Sequence, residues 1–109
     1  MATKANLIID QGTTFSTVFS LADDDGDPID LTGYTAEADI RKHYSSSNSQ
    51  SFVIALGGQS GTITLSLSAN QTSNMIAGRY VYDVELINSY NVVSRVMEGI
   101  ITITPQVTR

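Results

Sequence analysis

Alternation with a period of two governs most of this chain. In "GTITLSLS" Ile63, Leu65 and Leu67 fall on one side and threonine or serine on the other. In "RYVYDVELI" Tyr80, Tyr82, Val84 and Leu86 stand opposite Asp83 and Glu85. Successive side chains of a strand point to opposite faces, so this spacing predicts half-buried β-strands and leaves little room for helices. "TFSTVFSL" repeats the rule, with Phe15, Thr17, Phe19 and Leu21 on one face and Ser16, Val18 and Ser20 on the other. So does "YTAEADIR", with Tyr34, Ala36, Ala38 and Ile40 inward and Glu37, Asp39 and Arg41 outward. The closing run "VVSRVMEGIITITP" aligns Met97, Gly99, Ile101 and Ile103. With "NLIID" at the start and the apolar "SFVIAL", seven strands are expected.

Turn chemistry separates them: Gly12, "DDDGDP", "LTGY", "GGQSG" and "NSYN". The hydrophilic stretch His43 to Ser51 reads as an exposed hairpin tip. Only "LSANQTSNMIAG", Leu67 to Gly78, reads as helical, for about two turns, with Ser68 as its cap and Gly78 as its end. A chain of 109 residues without an internal repeat or boundary is expected to form one domain, residues 1–109. The expectation is an all-β, seven-stranded immunoglobulin-like β-sandwich with one short helical crossover. A small β-barrel is its structural rival. Tyr80 is the first choice for a tyrosine corner, bonding back to the crossover backbone, and Tyr82 the second. The cysteine pair and tryptophan of antibody domains are absent.

"ADDDGDPID", Ala22 to Asp30, holds five of the eleven carboxylates and invites a calcium reading. Counted from Asp23, an EF-hand needs glycine at position six and glutamate at position twelve. Pro28 and Tyr34 stand there, so that reading fails. A looser calcium site competes with a plain hairpin turn, in which Asp25-Gly26 suits type I′ geometry and Pro28 keeps the returning segment off a central position. We take the turn. Paired carboxylates that act as acid and base sit in partly apolar clefts, and these are on a solvated loop.

Other chemistry finds no foothold. His43 is the single histidine and there is no cysteine, which disfavours a transition-metal site. Ser45 to Ser47 lack a nucleophile elbow. "GGQSG", Gly57 to Gly61, lacks the lysine and helix of a phosphate loop. No catalytic, cofactor-binding or metal residue is assigned, no small-molecule substrate is expected, and the chain is read as not an enzyme. A net charge of −5, from eleven acidic against six basic residues, argues against nucleic acid as a partner. No run approaches a membrane span or a signal peptide. Tyr44 and Tyr90 lie in loops and suit protein contacts. Val18, Val81 and Ile100 fall on the faces read as polar; grouped on one sheet, they would mark a contact surface.

The ordered series "NLIIDQGTTFS", "D-x-x-G-x-P-I-D-L-T-G-Y", "G-T-I-T-L-S-L-S-x-x-Q-T", "G-R-Y-V-Y-D-V-E-L" and "V-x-R-V-M-E-G-I-I-T-I-T-P-Q-V-T-R" resembles small virion structural proteins of tailed bacteriophages, T4-like phages of cyanobacteria among them. It is similar also to the immunoglobulin-like N-terminal domain of phage baseplate upper proteins. The resemblance covers nearly the whole chain and rests on order, with Leu31-Thr32-Gly33-Tyr34, Gly78 to Val84 and Gly99 to Pro105 carrying most weight. It implies a non-enzymatic part of the virion, assembled in the bacterial host cytoplasm and bound to other virion proteins in multiple symmetric copies. Its relatives serve in baseplates, tails, heads and necks. Unlike the baseplate relatives, this chain is expected to stop after one domain, without their C-terminal extension, which counts against a fibre-adaptor role and leaves room for a decoration or joining role. The expected contact elements are the two termini, the His43 to Gln50 loop and an open sheet edge. The alternative is a carbohydrate- or host-surface-binding β-sandwich module.

Overall fold

The computed structural model describes residues 3–108. Two sheets enclose the core. The larger is ordered β1 (Thr3–Lys4), β9 (Val93–Thr104), β8 (Gly78–Ile87), β4 (Thr35–Arg41) and β5 (Gln50–Ser51), with β2 (Leu7–Asp10) also on β9. The smaller is ordered β3 (Phe15–Ser20), β7 (Thr62–Leu67) and β6 (Val53–Leu56). The alternation read in the sequence becomes the two faces of these sheets. Ile63, Leu65 and Leu67 from one sheet and Ile40, Val84 and Ile101 from the other are fully buried. Burying such a side chain contributes about 1.5–3 kcal/mol. Phe52 joins the two layers, 6.3 Å from the Phe15 ring and 6.1 Å, edge-on, from that of Tyr82.

Among the described residues, nine strand segments replace the expected seven. "SFVIAL" is divided because the chain changes sheets at buried Phe52, whose N–H donates to Ala38 O across the corner. The N-terminal strand is also in two pieces, both parallel to β9. Between them Ala5 and Asn6 press against Gly99, where any Cβ would strike Ala5 O. Gly99 is therefore required by the close approach of another backbone within a strand, and not by a turn.

The helical crossover is shorter than expected. One helix, α1, spans Ala69–Ser73. Ser68 and Gln71 cap its start reciprocally, as a capping box. It stops at Asn74, and Gly78 opens β8 instead of ending the helix. Met75, just past the helix end, is buried in the core, and its N–H donates to Thr72 O. Tyr80 forms the expected corner bond, its hydroxyl donating to Ile76 O at 2.6 Å. Tyr82 reaches elsewhere, donating to Ala5 O at 2.6 Å.

Two long-range ties had no sequence signal. Thr72 is fully buried, and its hydroxyl donates to Thr13 O at 2.8 Å while accepting from Gly12 N at 3.0 Å. Gln11 donates from Nε2 to Met75 O and accepts at Oε1 from Gln106 N. The β2–β3 turn is thereby fastened to both the crossover and the C-terminal segment.

Candidate functional site

The acidic loop is a turn, of a different type from the one expected. Asp23 N donates to Asp27 O, and Gly26 N donates to Asp23 O. Among the described non-glycine residues only Asn91 has positive φ, so Asp25 does not, and a type I′ turn is ruled out. The geometry is a type I turn followed by Gly26 at φ 85°. Asp23 Oδ1 accepts from both Asp25 N and Asp27 N. The turn between β8 and β9 repeats this arrangement without acids. Asn88 Oδ1 accepts from Tyr90 N and Val92 N, Asn88 N donates to Val92 O, and Asn91 takes the left-handed place at φ 63°. The carboxylate at Asp23 thus does what an amide does at Asn88. Further along, the Thr32 hydroxyl and amide both donate to Asp30 Oδ1 and hold that carboxyl below its ordinary value.

The other residues singled out in the sequence form local turns. Ser46 Oγ accepts from the backbone N–H of His43, closing a local turn. "GGQSG" forms a 3-10 turn over Gly58–Ser60, and Gly58 O accepts from Leu31 N. Among the described residues no group of three or more histidines, cysteines or carboxylates is placed to share a metal ion. No described helix is long and apolar enough to cross a membrane.

Charge concentrates on the outer face of the larger sheet. Register sets Glu37 opposite Glu85, and Asp39, Asp83 and Glu98 in one row across three strands. Like charges directly opposite destabilise a sheet. Two arginines offset the row of Asp39, Asp83 and Glu98. Arg41 lies 3.4 Å from Asp39, whose other oxygen accepts from Ser51 Oγ. Arg95 lies 3.4 Å from both Asp83 and Glu98. Strict alternation would put Arg95 on the core side with Met97. A β-bulge prevents it: Val84 pairs with Met97 and Glu85 with Arg95, so Val96 has no partner on β8. The extra residue turns Arg95 outward. With Tyr44 at its rim, this row borders a shallow hollow of about 310 Å³. A wider hollow of about 570 Å³ lies between the Ser46 to Gln50 loop and the crossover, where Lys42 stands 4.8 Å over the Tyr80 ring.

Apolar residues group beside the charged row. Val81 pairs with Ile100, and Ile8 pairs with Thr102 one step along the same face. Ile8 is 70% and Ile100 40% exposed. Val18 is elsewhere, on the outer face of the smaller sheet.

No family model matches the chain, and no curated protein matches it. Among solved structures it is similar to an internalin-like protein of Listeria monocytogenes, at 15% identity and a TM-score of 0.45. The match covers 96% of this chain but only 28% of that one.

Proposed function

We propose that this chain is a non-enzymatic structural protein of a tailed-phage particle, with an immunoglobulin-like fold and contacts to neighbouring virion subunits. The strand order supports the immunoglobulin-like part: β3, β7 and β6 face a sheet in which β2, β9, β8 and β4 are neighbours, and the chain passes between sheets repeatedly. The observation that carries the contact role is the Ile8, Val81 and Ile100 group, which lies together on one outer face beside charges of both signs. An apolar patch rimmed by charge is what a partner surface covers. The virion assignment rests on the sequence resemblance. Quantitative mass spectrometry of purified particles against the major capsid protein tests it. Hundreds of copies place the chain in shell or tail tube, and six to a few dozen at neck or baseplate, where symmetric rings set such numbers. Absence from the particle overturns the proposal.

One observation favours a second reading, a module for carbohydrate or a host surface. Tyr44 is 86% exposed and stands beside carboxylates and arginines at the 310 Å³ hollow. Binding on a glycan array that is lost in Tyr44→Ala would move this reading to first place.

A further inference from the structure

The outward face of the smaller sheet carries no charge at all. On β3 it presents Ser16, Val18 and Ser20, and on β7 Thr62, Thr64 and Ser66. In a chain of net charge −5 this is a marked segregation. The edge of that sheet is also open. Both N-terminal pieces, β1 and β2, spend their pairing on β9, and among the described residues β3 pairs with β7 alone. Edge strands are ordinarily blunted by lysine, proline, a bulge or brevity. β3, "FSTVFS", is six residues long, in unbroken register with β7, and has none of those devices.

The backbone facing the opening can be named. Leu21 N donates to Gly61 O at the end of the β3–β7 ladder. Bonding alternates along an antiparallel strand, so the odd-numbered residues face β7. The N–H and C=O groups of Ser16, Val18 and Ser20 then point into the open edge.

We propose that this edge pairs with the same edge of a second copy of the chain, antiparallel about a two-fold axis at Val18. In that register Val18 meets Val18 of the other copy, and Ser16 meets Ser20, each pair exchanging both ladder bonds. The smaller sheets become one continuous sheet. Phe15 and Phe19, only half-buried in the single chain, gain cover from the opposite strand. Charge leaves this edge free to meet a second copy and disfavours such a meeting at β4 and β6. The open side of β4 carries Glu37, and β6 lies across a cleft from Glu37 and Asp39. Two copies of an acidic chain meet like charge at those places and none at β3. An interface that repeats one patch on both partners is the commonest form of self-association.

The inference does not depend on the virion reading, because it concerns the purified chain alone. Sedimentation velocity across a concentration series is the test, beside Val18→Lys, which sets two cations face to face at the axis. Val18 is 58% exposed, and the folded monomer should melt as before. The expected result is a monomer–dimer equilibrium in the native chain, weakened about ten-fold or more in the variant. Hydrogen exchange supplies a second readout: the amides of Ser16, Val18 and Ser20 should gain protection as concentration rises, and that of Thr17 should not change. A native chain that stays monomeric to about 1 mM, in the millimolar range where even weak pairing registers, with those three amides exchanging freely, overturns the proposal. A dimer that forms equally in Val18→Lys also overturns it.

Discussion

Asp23 and Asn88 start the same turn, and each closes it with one side-chain oxygen that accepts two backbone N–H groups. The negative charge at Asp23 is therefore dispensable to the geometry. Asp23→Asn should change stability by less than about 0.5 kcal/mol, while Gly26→Ala, at a left-handed position, should cost about 1–2 kcal/mol. Calorimetric melts of the two variants check this, and a large loss in Asp23→Asn would contradict it. Tyr82 offers a pH test. Burial raises its phenol above the ordinary 10.0, so the neutral form is the one the fold holds. Its contribution is complete below pH 10.0 and is lost as pH rises through the higher folded value. Tyr82→Phe should remove the bond to Ala5 O, at about 0.5–1.5 kcal/mol near neutrality, and should flatten the alkaline fall in melting temperature.

The bulge in β9 is an element-level device: one unpaired residue, Val96, moves Arg95 from the core side to a row of acids. Arg95→Gln should cost about 0.2–1 kcal/mol in low salt, and the loss should shrink in about 1 M salt, where the Debye length is near 3 Å. Urea titrations at the two salt concentrations check it; a salt-independent loss would mean that packing, not charge, is the contribution. This bulge also marks where the sequence stops being legible. The faces of β3, β4, β7 and β8 followed from alternation because one side of each strand is buried and the period of two admits a single solution. The Ser68 cap and the Tyr80 corner were legible because both are local bonds. The bulge, the change of sheet at Phe52 and the hydroxyl ties of Thr72 were not. Each is decided by a partner far along the chain, and a threonine reads the same whether exposed or buried. The acidic loop was legible as a turn but not in type, since Asp-Gly serves both geometries. The charged face escaped notice because register, not composition, puts Asp39, Asp83 and Glu98 in one row.

At the scale of the whole molecule, the first and last strands lie side by side. β2 pairs with β9 from Leu7↔Ile101 to Asp10↔Thr104, and Ile9 is fully buried in the core. Asn6 Oδ1 accepts from Ile100 N, and Ala5 O from Tyr82. Removing residues 1–10 should therefore abolish cooperative unfolding, leaving no sigmoidal transition by circular dichroism; a sharp melt in the truncated chain would show that the remaining strands close the core unaided. The pairing is parallel, so the chain enters this ladder at one end of β9 and leaves at the other. A pull on the two ends drags β2 and β9 past each other along their length. The ladder bonds then share the load together and cannot be opened singly, as a zipper is. Resistance to force is a matter of unfolding rate, not of equilibrium stability. The force at which the chain opens in such a pull is therefore expected to follow the shearing rate of this ladder and not the melting temperature, which single-molecule pulling on the two ends would check.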